Sequence, residues 1–258
     1  MKVIILAGGK GTRLGERTSI IPKPMLYIGD KPILWHIMMI YSHYGFNEFI
    51  ICLGYFGNVI KDYFYHYSVL NHDFTINLKN RDISFHNIDE ELNWEVTLVD
   101  TGLETLKGGR IKRIEKYLDS ETNMLTYGDG LADIEIPNLL KFHQSKGKIL
   151  TIIGVHPPSR FGEIIEKDNK LVMFAEKPQT SASLINGGFM VFNRDMLDYL
   201  TEDENCDFEH GPLEEMAKDN QVAIYKHPGN WECIDTERDY QYLNKLWNEN
   251  KAFWQIWK

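Results

Sequence analysis

Gly8, Gly9 and Gly11 follow a short apolar run, Val3 to Leu6, and are followed by Thr12, Arg13 and then Lys23 between Pro22 and Pro24. Glycines at a strand end let backbone N–H groups turn toward an anion with no side chain in the way, and the basic residues supply countercharge. The chemistry that suits this pattern is binding of nucleotide phosphates. Two common phosphate loops do not fit it. The dinucleotide fingerprint needs G-x-G-x-x-G, whereas Gly9, Gly11 and Gly15 are spaced G-x-G-x-x-x-G, and the next apolar-periodic helix is expected only from about residue 32. The P-loop needs Gly-Lys-Ser/Thr at its end, but here Lys10 precedes Gly11-Thr12 and no such pair follows.

Carboxylates form the second set. Asp129 lies between Gly128 and Gly130 at the end of a strand predicted over 123–127, and Asp235 ends the apolar stretch Trp231 to Ile234 directly before a predicted helix. A short, open carboxylate suits a hard oxygen-loving cation such as Mg²⁺. The other reading of Asp129 is a turn and that of Asp235 a helix N-cap, and the residues alone leave both open. Glu176-Lys177-Pro178 follows a predicted strand ending at Ala175; by itself such a pair is as readily a solvated ion pair as a site.

The stretch Leu6-Ala7-Gly8-Gly9-Lys10-Gly11-Thr12-Arg13-Leu14 followed by Pro22-Lys23-Pro24-Met25 resembles the signature of the sugar-1-phosphate nucleotidylyltransferases. The resemblance implies a nucleotide site made by Leu6, Gly8, Gly9, Gly11, Thr12, Arg13, Thr101, Arg110 and Gly128, with Arg13 and Lys23 catalytic. It matches Asp129 and Asp235 to the family's paired metal-binding aspartates, so that the cofactor is Mg²⁺. It places Lys23 and Lys177 on the sugar phosphate, Glu176 and Asn186 on sugar hydroxyls, and Gly162 and Gly187 beside the sugar. It further implies a homo-oligomer, with a hexamer among the family's assemblies.

Five segments narrow the resemblance to the branch that uses CTP and glucose 1-phosphate: Pro32 to Met38, Thr97 to Gly102, Thr126 to Gly130, Ile185 to Phe189, and the closing Trp254 and Trp257. The similarity spans essentially the whole chain, with residues 68–92 and 201–210 matching less clearly. Chemistry agrees with the base: cytosine offers N3 and O2 as adjacent acceptors, which an arginine fork at Arg110 could satisfy with two donors, whereas uracil presents an N3 donor. One rival reading is a uridylyl- or thymidylyltransferase on a related sugar phosphate. Another is a silent regulatory subunit, which would be expected to lack Lys23, Arg13 or one aspartate; all are present.

The elements that must position these residues are legible in outline. Asp30 is expected to cap a helix whose apolar positions recur from Ile33 to Tyr44, Glu48 to Leu53 reads as a buried strand, and 59–67 as a second helix. Short strands are predicted at 74–78, 83–87 and 95–99, a helix over 109–118, and a helix after Asp129. Strands alternating with helices predict an α/β fold with a Rossmann-like, mostly parallel sheet flanked by helices, and ligands gather at strand C-termini in such sheets. From residue 149 strands shorten, with expectations at 149–156, 163–166, 171–175, 185–193 and 222–226 and helices at 194–200, 212–219 and 237–248. The chain is thus expected to be a single domain, residues 1–148 mainly binding nucleotide and a smaller β-rich part, residues 149–258, mainly binding the sugar phosphate.

Composition limits the alternatives. The chain has 258 residues, 43% hydrophobic and 25% charged, which is ordinary for a globular protein, and no apolar run reaches the ~20 residues of a membrane span. A net charge of −9 argues against a nucleic-acid partner, which would require a basic face. Cys52, Cys206 and Cys233 are odd in number and far apart, which fits reduced thiols, and with no secretory leader evident the expected location is the cytoplasm. His36, Trp35 and Met38 read as packing residues, and Tyr63, Phe64, Tyr65 and Tyr67 as core or interface.

Overall fold

The computed structural model describes residues 1–86, 92–157, 163–167, 170–175 and 184–257. Seven strands form the central sheet: β1 (Val3–Leu6), β2 (Glu48–Leu53), β3 (Glu95–Asp100), β4 (Thr122–Tyr127), β5 (Leu150–Val155), β6 (Ile185–Asn193) and β7 (Val222–Lys226). Their order is β7-β5-β6-β4-β1-β2-β3. All lie parallel except β6, which runs antiparallel to both β4 and β5. The mostly parallel sheet expected from the alternating pattern is therefore present, with one reversed strand where the second half of the chain joins.

The helices are α1 (Ile33–Ser42), α2 (Gly57–Tyr65), α3 (Tyr67–Asn71), α4 (Lys107–Arg113), α5 (Ile136–Lys146), α6 (Pro212–Lys218) and α7 (Glu237–Asn248). Alternation along β1 shows how they cover the sheet. Val3 and Ile5 face one core together with Ile33, Leu34 and Ile37 of α1, Leu243 of α7 and Trp254, while Ile4 faces a second core with Ile111 of α4 and Met216 of α6. A strand buried on both faces has to be apolar at every position, and Val3 to Leu6 is.

Several boundaries differ from expectation for local reasons. Asp30 does not cap α1: Lys31–Pro32 pairs with Tyr27–Ile28 as a short antiparallel hairpin, and Pro32 itself precedes the first helical residue. The helix expected over 109–118 begins earlier, at Lys107, and yields at Ile114 to a 3-10 turn over Glu115–Tyr117. The segment 194–199 is likewise 3-10 rather than α-helical. Among the described residues no helix is long and apolar enough to cross a membrane.

The sheet order decides where a ligand can sit. The chain builds outward from β1 to β2 and β3, then returns to place β4 on the other side of β1. At such a switch point the two connections diverge and leave a crevice beyond the strand C-termini. The glycine loop leaves the end of β1 and Asp129 follows the end of β4, so both open on that crevice.

Candidate active site

The loop is tied down at its base and open at its crest. Ala7 N donates to the Cys52 carbonyl and Gly128 N to the Leu6 carbonyl, each at 3.0 Å, which carries the β-ladders to the crevice lip. Gly11 then takes a left-handed φ of 61°, which favours glycine, and a Cβ there would be a tight 3.2 Å from Lys23 Cβ. A Cβ at Gly9 would meet nothing within 4 Å. The Thr18 hydroxyl donates to the Gly11 carbonyl at 3.0 Å and anchors the loop to the turns of 12–19.

Beside the loop lies a cavity of about 350 Å³. Of the residues expected at the nucleotide, Leu6, Gly8, Gly9, Gly11, Arg13, Arg110 and Gly128 line it, as do Lys23 and Asp129. Thr12 is exposed on the loop without lining the cavity, and Thr101 is buried beneath it. Thr105, Leu106, Lys107, Tyr127 and Asp207 also line it and were not foreseen. Tyr127 stands next to Gly128-Asp129 and Lys107 next to Gly108-Gly109-Arg110, so adjacency to marked residues was the available signal. For Asp207, in the poorly matching stretch, there was none.

Two carboxylates converge on one ammonium. Gly130–Ala132 pairs antiparallel with Trp231–Cys233, and Ile234 N donates to the Asp129 carbonyl at 3.0 Å, which brings Asp129 and Asp235 to the same end of one small ladder. Lys23, held on a 3-10 turn between prolines, donates to Asp129 Oδ2 at 2.6 Å and Asp235 Oδ1 at 2.7 Å. Arg13 Nη1 takes the other oxygen of Asp235 at 2.7 Å. Burial opposes the Lys23 charge, but the two aspartates outweigh it and hold its pKa above the ordinary lysine value. Asp235 is not the cap of α7: Thr236 accepts from Asp239 N while Asp239 receives Thr236 N, a complete capping box that leaves the Asp235 side chain to the cleft.

Arg110 is used differently. Its Nη1 donates to the Leu53 carbonyl (2.9 Å), the Thr101 hydroxyl (2.8 Å) and the Gly102 carbonyl (2.7 Å), and Nη2 to the carbonyls of Gly8 and Leu103, both at 3.2 Å. Thr101 in turn donates to the Leu53 carbonyl at 2.7 Å. A Cβ at Gly8 would run into this guanidinium, so the first glycine is required for packing. Reading cytosine with the expected two-donor fork would require Arg110 to give up backbone partners it holds here.

Of the residues expected at the sugar, Asn186 and Gly187 lie at the start of β6, outside the lining of the cavity. Asn186 Nδ2 donates to the Tyr127 hydroxyl at 3.3 Å and its Oδ1 accepts from Gly188 N at 2.9 Å. The Gly187 carbonyl accepts from Trp231 Nε1 at 2.7 Å, and a Cβ on Gly187 would lie 2.7 Å from Ile153 and Val155. Gly162, Glu176 and Lys177 lie outside the described residues.

A family model for nucleotidyl transferases matches residues 2–249. The glucose-1-phosphate cytidylyltransferases of Salmonella typhimurium and Salmonella typhi are each 44% identical over 259 aligned residues, covering 100% of this chain and of each relative. Among solved structures, HddC from Yersinia pseudotuberculosis, crystallised with GMP-PN, superposes with a TM-score of 0.69 at 23% identity, covering 95% of this chain and 99% of that one. That likeness reports on the fold.

Proposed function

The chain belongs to the nucleotidyl transferase family, and we propose that it joins CTP to glucose 1-phosphate, giving CDP-glucose and pyrophosphate. One observation carries this reading: the glycine loop, Arg13, Lys23 and Asp129 line a single cavity at the sheet's switch point, and Asp235 joins them through its bonds to Lys23 and Arg13. Full-length identity to two cytidylyltransferases supports CTP and glucose over the uridylyl and thymidylyl alternatives.

In the reaction an oxygen of the sugar phosphate attacks the α-phosphorus of CTP, and the bond to the β-phosphate breaks as pyrophosphate leaves with its electron pair. The attacking group is already an anion near neutral pH, given a second phosphate pKa of ~6, so no general base is required. What remains is to hold polyanions in line and offset their charge. The amides of Gly8, Gly9 and Gly11 with Thr12 cradle the triphosphate, over a floor in which Arg110 and Thr101 fix the carbonyls of Gly8 and Leu53, between Leu6 and Gly128. Arg13 holds the leaving pyrophosphate. Lys23 exchanges its aspartates for phosphate oxygens and, with Lys177, keeps the two substrates together. Glu176, Asn186, Gly162 and Gly187 receive the hexose.

The donor set fits a divalent cation. Asp129 and Asp235 each aim one oxygen at a common point, now taken by the Lys23 ammonium, and two carboxylates are the usual protein share for Mg²⁺ held by phosphates. Among the described residues no cluster of three or more His, Cys, Asp or Glu is placed to hold a metal unaided. When bound there, Mg²⁺ would supply charge neutralisation across the phosphates.

The hairpin Asp73–Ile76/Ile83–His86 exposes Phe74, Ile76, Leu78 and Ile83, an apolar surface that a two-stranded hairpin cannot bury by itself and that supports a homo-oligomer, a hexamer by the family's example. Free cysteines and small phosphorylated substrates support a cytoplasmic location. The test of the reaction is pyrophosphate release from each of four nucleoside triphosphates against a panel of hexose 1-phosphates, with and without chelator. Release with CTP and glucose 1-phosphate, abolished by chelation, is expected; release confined to UTP would overturn it.

A further inference from the structure

Residues 202–209, in the stretch that matches the family pattern poorly, form a strap across the start of α4. Leu106 N donates to the Glu204 carbonyl at 2.7 Å and Gly109 N to the Cys206 carbonyl at 3.1 Å, while the Arg113 guanidinium donates to the Glu202 carbonyl. The strap approaches this closely because positions 108 and 109 carry no side chain. A Cβ on Gly108 would sit 2.6 Å from Cys206 Sγ, and one on Gly109 would strike the Asp203 carbonyl. Phe208 is wholly buried and pins the strap, so Glu209 emerges behind the cavity wall.

Glu209 touches two side chains that do line the cavity. The Tyr127 hydroxyl donates to Glu209 Oε1 at 2.5 Å, Lys107 Nζ donates to the same oxygen, and that ammonium stands 4.8 Å over the Tyr127 ring. The directions of these bonds are determined. Burial works against the Glu209 charge, but the bonds from Lys107 and Tyr127 outweigh it and hold its pKa below the ordinary value. An ionised carboxylate can only accept, so the phenol proton points at Glu209 and the phenol oxygen is left to accept. Asn186 Nδ2 donates to that oxygen, and Gly188 N fixes the other end of the same amide. Among the described residues the second Nδ2 hydrogen of Asn186 has no partner.

We propose that Glu209 is a positioning residue for hexose recognition: acting through the Tyr127 hydroxyl, it locks the Asn186 amide so that its remaining N–H faces an acceptor oxygen of the sugar. The proposal rests on the reading of Asn186 as a sugar contact. It gives the divergent strap a task and makes sugar selectivity depend on a residue that does not touch the sugar.

The test is steady-state kinetics on the full chain with CTP, Mg²⁺ and the hexose 1-phosphate that the unmodified protein turns over, using Y127F, E209A, E209Q and N186A. Y127F removes one oxygen and keeps the ring. It should raise KM for the sugar phosphate by about 2- to 13-fold, the range one lost hydrogen bond spans, with KM for CTP and kcat unchanged. E209A should match it for the sugar, E209Q should restore most of the loss by keeping an acceptor oxygen, and Y127F/E209A should be no worse than Y127F alone. If N186A raises the sugar KM and Y127F does not, the positioning role is wrong while the sugar contact stands. If N186A has no effect on that KM, the sugar reading of Asn186 fails and the proposal falls with it.

Discussion

Two buried cations lie within one cleft, Lys23 and Arg110, and their partners differ in kind. Lys23 is held by two side-chain carboxylates, which can turn to a metal or release the ammonium to a phosphate. Arg110 is held by four backbone carbonyls and a buried hydroxyl at or just beyond the ends of β1, β2 and β3, so that it ties three strand ends together. The difference teaches how to tell a stored charge from a structural one: exchangeable partners mark the group that chemistry can use, and fixed partners mark the group that builds the cavity.

The sharpest way to break this comparison is at Arg110. Arg110→Met leaves Gly8 and Leu53 with their Tyr55 and Thr101 donors but takes the donor from the Gly102 and Leu103 carbonyls and unties the three strand ends, and should cost about 3 kcal/mol of stability, read as a lower denaturation midpoint. An unchanged midpoint with weakened CTP affinity would instead return Arg110 to base reading. Lys23→Ala should do the reverse, leaving a folded protein whose kcat falls ~10²- to 10³-fold, about 2.7 to 4 kcal/mol of transition-state stabilisation. Near-normal turnover would remove Lys23 from the chemistry.

The same rule extends to a third group. His36 Nε2 donates to the Ile28 carbonyl at 3.0 Å and Nδ1 accepts from Trp254 Nε1 at 3.4 Å, with Asp30 and Lys31 the charges nearby. Burial, the largest cause, drops its pKa from 6.5 to about 4. The neutral ring is therefore favoured when folded, so unfolding takes up a proton between those values. Stability should be level above pH 6.5 and fall by roughly 3 kcal/mol as pH drops toward 4. His36→Gln should lose that segment of a denaturation-against-pH curve; if it keeps it, another group is responsible. The smallest effect is expected where both partners are exposed. Lys10 reaches Glu104 at 2.7 Å on the exposed crest of the loop, and Lys10→Ala should change kcat/KM by less than about fivefold.

What could be read from the residues alone follows the range of the interactions involved. The glycine loop, the ends of β1 and β4, and α7 at 237–248 are set by near neighbours in sequence, and they stand where the pattern puts them. Asp235 illustrates the limit: its position before a helix is equally a cap, and only the Thr236–Asp239 box decides against that. Asp30 shows the converse, a plausible cap displaced by the Tyr27–Ile28/Lys31–Pro32 hairpin. The arrival of Glu209 at Lys107 depends on a contact across about 100 positions, and the donors of Arg110 are shared between near acceptors at Thr101 to Leu103 and distant ones at Leu53 and Gly8, a division that no local pattern encodes.

The most direct measurement is a crystal structure with CTP and Mg²⁺ bound. The triphosphate is expected on the amides of residues 8–13, with Lys23 turned from Asp129 and Asp235 to phosphate oxygens, the metal on those two carboxylates, and Arg110 still on its carbonyls. Nucleotide bound away from the glycine loop, with both Lys23 ion pairs intact, would contradict the account.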